Sequence, residues 1–364
     1  MFTQRYVRME GEAKVFPTCL SEVKLPDRLP PIVITAFTRP DLLAPVLEAI
    51  ALQSLSPQEI IAFVDGARND KDRALIQQCV DLLKNFERST WSVRVIQREH
   101  NLGCDRNVIA AFTEVFESHD TLVYLEDDDL PNPCFYDRIC RLLTAYKDRQ
   151  DIFSVSGYVS RALPAEEIAT DFFPSRRVFS WGFGIWRDRW QSMDLVHQSG
   201  QHNPFGHVYS IPTTVESKLT LANQFWLEKN QKTDWVITMT LCALHQGRVH
   251  LVPKHSIVKN IGFGHEQSET YRGEEGSWVN KAYDPGFVPE TIPVELGLCD
   301  RLNQEIGSAE LAKFLGKKGI WLTPAALAHY LKKYPSPQHA HLWLGLFLQQ
   351  LPTLLRRWKS GLQV

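Results

Sequence analysis

The sequence predicts an α/β protein: a mostly parallel sheet flanked by helices, joined to a smaller α+β half and a helical C-terminal tail. Three observations predict it. Between Pro31 and Gly157, short apolar runs alternate with stretches of helical spacing, the pattern of βα units. The apolar runs are continuous, as strands covered on both faces are. Unusual polar residues recur at the carboxyl ends of those runs, the edge where open α/β sheets bind ligands.

Each element follows in order. Pro31–Phe37 reads as the first strand, and Arg39-Pro40-Asp41 opens a helix with Leu43, Val46, Leu47 and Ile50 at helical spacing. Glu59–Val64 is the second strand and ends on Asp65-Gly66. A polar helix runs from Lys71 to Phe86, and Ser92–Gln97 alternates as a third strand. A helix over Asp105–Phe116 leads to the fourth strand, Thr121–Leu125, which runs into Glu126-Asp127-Asp128-Asp129. A helix after Pro133 and a strand over Ile152–Ser156 close the series. After Pro164 the texture changes: Trp181, Trp186, Trp190, Trp226 and Trp235 stand among polar residues and glycines without clear βα alternation. The tail from Ala309 reads as helical, with a break at Pro335-Ser-Pro337. The expected organisation is an extension over 1–29, the βα half over 30–164, a second half over 165–290 and a helical region over 291–364.

The 364 residues carry 40 Lys and Arg against 42 Asp and Glu, a net charge of −2 that leaves no general footprint for nucleic acid. An anionic ligand must be met by a local site. The seven cysteines are odd in number, dispersed and free of C-x-x-C pairs, which argues against a disulfide framework and a thiolate zinc site and fits a reducing compartment. Residues 1–27 lack the apolar core of a secretory signal, and no run is long enough to span a bilayer. A cytoplasmic protein is expected.

Glu126–Asp129 places four carboxylates in a row at the end of an apolar strand. Carboxylates so close raise one another's pKa unless a cation compensates. Hard oxygen ligands of this kind suit Mg2+ or Mn2+, which takes one or two carboxylates and completes its shell with phosphate oxygens and water. A solvated acidic turn, with Asp129 near the cap of the next helix, is the plain structural alternative. Likewise Asp65-Gly66 is also a common turn dipeptide, and Asn101-Leu-Gly103 also serves as a helix entry.

The segments Leu125-Glu-Asp-Asp-Asp-Leu-Pro131, Ser180-Trp-Gly-Phe-Gly-Ile-Trp186 and Asn260-Ile-Gly-Phe-Gly264 resemble those of GT-A glycosyltransferases. Among these are N-acetylglucosaminyltransferase I and bacterial sugar transferases of surface-polysaccharide synthesis. The resemblance runs from about Pro31 to Tyr271. It implies a metal-dependent inverting transfer of a sugar, GlcNAc or a related one, from a UDP-sugar to a glycan or lipid-linked acceptor. By resemblance, 30–164 is the nucleotide-sugar-binding half and 165–290 the acceptor and catalytic half. Asp128 matches the carboxylate that holds the cation, with Asp127 and Asp129 as neighbouring alternatives. Glu126 and Asp127 match residues lining the donor sugar and ribose. Phe37, Thr38 and Arg39 match the loop that meets the nucleotide, and Asp65 matches the residue facing the uracil edge. Asn101, Gly103 and Arg106 lie in a segment resembling the one that closes over the base and diphosphate.

Inverting transfer needs a carboxylate within hydrogen-bond reach of the acceptor hydroxyl. Asp234, in Lys232-Thr-Asp-Trp-Val236, resembles the Asp-Trp motif that supplies it; Asp188 and Asp194 are second candidates, and an N-cap is the structural alternative for Asp234. Trp181 with Gly182 pairs an aromatic face for a sugar with a backbone that a ligand can approach. Gly262, Gly264 and His265 have the make-up of a loop that closes over donor and metal, with His265 near the diphosphate or on the surface. In the tail, Leu344, Phe347, Leu348, Leu351, Leu355 and Trp358 recur at helical spacing ahead of Arg356, Arg357 and Lys359. Such a stripe either packs on the protein or lies in a membrane interface, which would make the protein peripheral on the inner membrane. Two rival functions are weighed. A sugar nucleotidyltransferase is disfavoured because Ala36-Phe-Thr-Arg-Pro40 lacks a glycine-rich loop, and a non-catalytic carbohydrate-binding protein is disfavoured by the acidic run.

Overall fold

The computed structural model describes residues 17–160, 169–193, 235–268, 273–276, 279–296, 312–313, 315–316, 319–333, 335 and 337–361. The chain divides into two compact units, Met1–Ser192 with Val249–Gly297, and Met193–Arg248 with Leu298–Val364.

The first unit is built from β1 (Ile32–Ala36), α1 (Pro40–Ala51), β2 (Glu59–Val64), α2 (Asp70–Lys84), β3 (Ser92–Gln97), α3 (Cys104–Val115), β4 (Thr121–Glu126) and β5 (Asp129–Pro131). It continues with α4 (Phe135–Ala145), β6 (Ile152–Ser156), β7 (Phe172–Ser175), β8 (Phe183–Trp186), α5 (Arg187–Gln191), β9 (Val249–Pro253) and β10 (Val258–Asn260). Eight strands form one sheet in the order β3-β2-β1-β4-β8-β6-β9-β7. The β3, β2, β1 and β4 neighbours run parallel, as do β6 and β9. β8 lies antiparallel between β4 and β6, and β7 closes the edge antiparallel to β9.

Every residue of β1 is buried, which explains its unbroken apolar run. Ile32, Ile34, Ile60, Ala62, Val123 and Leu125 pack in one cluster with Leu43, Val46 and Ile50 of α1, Ile76 and Leu83 of α2, and Phe135 and Ile139 of α4. Side chains alternate across a strand, so Tyr124 faces the opposite side. There Phe112 of α3 packs on Tyr124 at 5.0 Å between ring centroids, on Phe183 at 5.9 Å and on Trp190 at 4.9 Å.

The sheet continues past the change in texture at Pro164. β8 carries Gly184, where a Cβ would come within 2.6 Å of Ile139 Cγ2, so the close approach of α4 requires glycine inside this strand. A separate antiparallel pair, β5 with β10, sets Asn260 opposite Asp129 and brings the segment after β10 to the tip of β4.

In the second unit, α6 (Trp235–His245) is described apart from α7 (Pro324–Lys333) and α8 (Pro337–Lys359). The last two are separated at the proline pair, and Pro337 takes the first helical position, where its missing N–H is harmless. Tyr330 stacks on Trp343 with centroids 4.3 Å apart. Buried Gln350 donates to Ile320 O at 3.1 Å and accepts from Leu322 N at 2.9 Å, tying α8 to the chain ahead of α7. Among the described residues, no helix is long and apolar enough to cross a membrane.

Candidate active site

The carboxyl ends of β1, β2, β3 and β4 meet around one cleft enclosing about 150 Å³. Strand order reverses at β1: α1, which leads to β2, and α3, which leads to β4, pack on opposite faces of the sheet, the usual place for a ligand crevice. Phe37, Thr38 and Arg39 line it from β1, Asp65 from β2, Asn101 and Gly103 from the loop after β3, and Glu126, Asp127 and Asp128 from β4. Trp181 completes the wall. The structure therefore gathers the residues singled out at four separate strand ends.

Arg39 is the counter-charge of the acidic tip. Its Nη1 donates to Asp128 Oδ2 at 2.7 Å, and Nε and Nη2 engage both oxygens of Asp127. Burial works against the guanidinium charge, but Asp127 and Asp128 outweigh it and raise Arg39 above its ordinary range. Burial pushes Glu126 up to about 8, with Asp128 adding to the shift and Ser180 opposing it. Burial likewise raises Asp128, against the pull of Arg39.

Asp128 Oδ1 is buried with no hydrogen-bond partner, as are Asp129 Oδ1 and Thr38 Oγ1, and of the two carboxylates only Asp128 lines the cleft. A buried carboxylate oxygen left without a donor is costly, and a hard divalent cation is the ligand whose chemistry it fits. Among the described residues, no three His, Cys, Asp or Glu side chains form a cage of their own. One or two carboxylates supplemented by substrate phosphates and water is a normal arrangement for Mg2+ or Mn2+. The residues present thus fit such an ion, with Asp128 as its natural ligand and Asp127 beside it.

Asp129 is turned elsewhere. It is fully buried, and Oδ2 accepts from the backbone N–H groups of Glu126 at 3.0 Å and Gly182 at 3.1 Å. Burial, Glu126 and Asp128 hold its carboxyl well above the usual range. Asp129 and Gly182 act here as a brace between the tip of β4 and the entry to β8.

Asn260 lines the cleft, and Ile261 donates its N–H to Asp128 O at 2.9 Å. At Gly262 a Cβ would lie 1.8 Å from Asp128 Oδ2 and 3.0 Å from Arg39 Nη1, so any side chain here would displace the Arg39–Asp128 pair. Gly264, at φ +73°, follows two residues later. His265 bridges the segment to α1: Nδ1 accepts from Gln267 N at 3.1 Å, which leaves Nε2 to donate to Asp41 Oδ2 at 3.0 Å. Its two ring nitrogens are thus engaged within the protein. Gln267 and Ser268 reach the cleft from this segment.

Asp65 is 4% exposed, and four donors converge on it. Oδ1 accepts from Gly66 N and Leu102 N, both at 2.8 Å, and Oδ2 from Asn101 Nδ2 at 3.0 Å and Gly103 N at 2.9 Å. Its carboxylate therefore shapes the loop after β3 and sets the entry of α3. Arg68 lies 4.7 Å over the ring of Phe37 and is steadied by Asp72, to which its Nε donates at 2.9 Å. Arg68 escapes a sequence reading because an Arg and Asp at i and i+4 look like an ordinary helix-surface pair. Its position just beyond a strand ending in Asp65 is the signal that would have marked it.

Arg106 is exposed on α3 and does not line the cleft. Asp188 pairs with Arg189 and accepts from Gln150, also outside the lining. Asp194 and Asp234 lie outside the described residues.

No curated protein matches the chain. Among solved structures, a mannosyltransferase from Pyrobaculum calidifontis, held with GDP-Man and Mn2+, is 11% identical over 94% of this chain and 86% of its own, with a TM-score of 0.39. The galactosyltransferase LgtC, solved with donor and acceptor sugar analogues, is 12% identical over 79% of this chain and 95% of its own, at a TM-score of 0.34. TarS of S. aureus (residues 1–349) is 12% identical over 63% of this chain and 58% of its own, also at 0.34. The family model described as glycosyl transferase family 2 matches residues 32–200. That match begins at the first residue of β1 and runs beyond β8, taking in every strand whose end lines the cleft, so it is the cleft-bearing part of the chain that is similar to glycosyl transferase family 2.

Proposed function

We propose that this protein is a glycosyltransferase, metal-dependent and inverting, and that it moves a sugar, GlcNAc or a related hexose, from a UDP-sugar to a hydroxyl of a glycan or lipid-linked acceptor in surface-polysaccharide synthesis. The observation that carries the metal requirement is Asp128, whose buried Oδ1 has no protein partner while its Oδ2 is held by Arg39. When bound, a divalent cation would stabilise negative charge developing on the leaving diphosphate. Phe37, with Arg68 across its ring, offers a flat apolar surface for a base, and the loop shaped by Asp65 lines the same cleft. Arg39 compensates Asp127 and Asp128 in the ligand-free protein and is placed to donate to donor phosphates. Asp234 is assigned by resemblance as the base: it accepts the acceptor hydroxyl's proton as that oxygen bonds to the anomeric carbon and the bond to UDP breaks.

The test is UDP release from a panel of UDP-sugars, with Mn2+ or with EDTA, comparing wild type with Asp128→Ala and Asp234→Asn. Donor-selective release that requires the ion and both carboxylates supports the reading. Failure to bind any nucleotide under every metal condition, with glycan binding retained, overturns it in favour of a carbohydrate-binding role.

A further inference from the structure

The charge of this chain is segregated. From Leu311 to Val364 there are eight Lys and Arg and no Asp or Glu, leaving 32 basic against 42 acidic residues in the first 310. A chain of net −2 thus ends in a purely cationic segment, and α8 lies within it.

The residues of α8 sort into three faces. Trp343, Leu346, Gln350 and Leu354 are buried. Leu344, Leu348, Leu355 and Trp358 are 44%, 62%, 45% and 48% exposed, unusual values for large apolar side chains. At about 100° per residue these four fall within an arc of about 80°, so they form one stripe and not a scatter. Exposed Arg356 and Lys359 flank the stripe on its polar side. From Leu344 to Trp358 the stripe runs about 21 Å, shorter than the roughly 30 Å of a bilayer's hydrocarbon core.

We infer that α8 is a peripheral docking helix for anionic phospholipid, lying in the plane of the bilayer surface. The stripe sinks below the headgroups, Trp358 sits at headgroup depth, and Arg356 and Lys359 meet lipid phosphates. Charge complementarity selects this occupant. The spacing of 344, 348, 355 and 358 would also suit a second copy of the helix, but residues 311–364 hold no carboxylate to answer the basic flank, whereas an anionic leaflet supplies that charge throughout. The assignment does not depend on the transfer reaction proposed above.

The test is co-sedimentation of the full-length protein with phosphatidylcholine vesicles, with and without phosphatidylserine, at low and high salt. Wild type should bind the anionic vesicles at least about tenfold more tightly than the neutral ones, and high salt should erase most of the difference. Leu348→Glu with Trp358→Glu should weaken binding to anionic vesicles by about tenfold or more. Arg356→Ala with Lys359→Ala should weaken it by about thirtyfold while leaving residual neutral-lipid binding unchanged. Circular dichroism should be the same for all, since every altered residue is on the surface. As a check independent of the charge-altering variants, brominated lipid should quench wild-type fluorescence more than that of Trp358→Phe. Equal binding to neutral and anionic vesicles, no vesicle binding, or a concentration-dependent dimer abolished by Leu348→Glu would each overturn the inference.

Discussion

Asp65→Asn exchanges one oxygen for an NH2 group, and the structure says what that costs. The carboxylate accepts from four donors, two on each oxygen. The amide oxygen can keep one pair, Gly66 and Leu102 for example, and the new NH2 then faces the Gly103 N–H and the Asn101 amide, donor against donor. Bonds to a charged acceptor contribute about 1.5–3 kcal/mol each. Asn101 is exposed and water can replace its bond, so the expected loss is about 3 kcal/mol rather than the full sum. For a unit of this size that lowers the melting temperature by about 6–12 °C. Urea denaturation gives the free energy directly, and UDP titration at a temperature where the variant is folded reads the loop. Affinity should fall with stability, because the Asn101–Gly103 wall loses its anchor. A loss below about 1 kcal/mol with unchanged UDP affinity would refute the claim that Asp65 organises this loop.

Three further outcomes are expected. Gly262→Ala should cut metal-dependent UDP release by about a hundredfold and cost about 1–3 kcal/mol of stability, because its methyl takes the place of Asp128 Oδ2 and pushes that carboxylate off Arg39; steady-state kinetics beside thermal denaturation read both. Arg39→Ala should destabilise the metal-free protein by about 3–5 kcal/mol by stranding Asp127 and Asp128, and added Mn2+ should restore part of the loss in a melting experiment. His250, fully buried, has its pKa lowered by burial to about 3. The unfolded chain therefore binds the extra proton below about 6.5, so stability falls as pH drops from about 6.5 toward about 3 and is down by about 2 kcal/mol at pH 5. His250→Gln should flatten that limb of the stability–pH curve; an unchanged limb would remove His250 as its source.

The parts of the fold that could be read beforehand are those in which one sequence feature has one physical cause. β1, β2 and β4 are buried on both faces and so show unbroken apolar runs, and the polar residues ending them fall where the cleft is. Other parts depend on contacts distant in the chain. β8 is disguised by Gly184, whose reason is the neighbouring α4. Asp65 and Asp129 have the same side chain as Asp128, yet Asp65 commits both oxygens to the loop after β3 and Asp129 its Oδ2 to two backbone N–H groups, and only the fold decides which acid takes which part. His265 reads as a possible ligand, but Asp41 engages its ring from α1.

The placement of β8 also bears on how the chain matures. As synthesis proceeds from the N-terminus, β1 to β4 can assemble as soon as Glu126 has emerged, but β4 then keeps one bare edge until Phe183–Trp186 arrives to cover it. An uncovered, apolar strand edge is a template for pairing with other chains. The strand that bears the acidic tip is thus open to mispairing during biogenesis, and a product stopped between β6 and β8 would carry the ends of β1 to β4, without Trp181 or Asn260, on an aggregation-prone sheet.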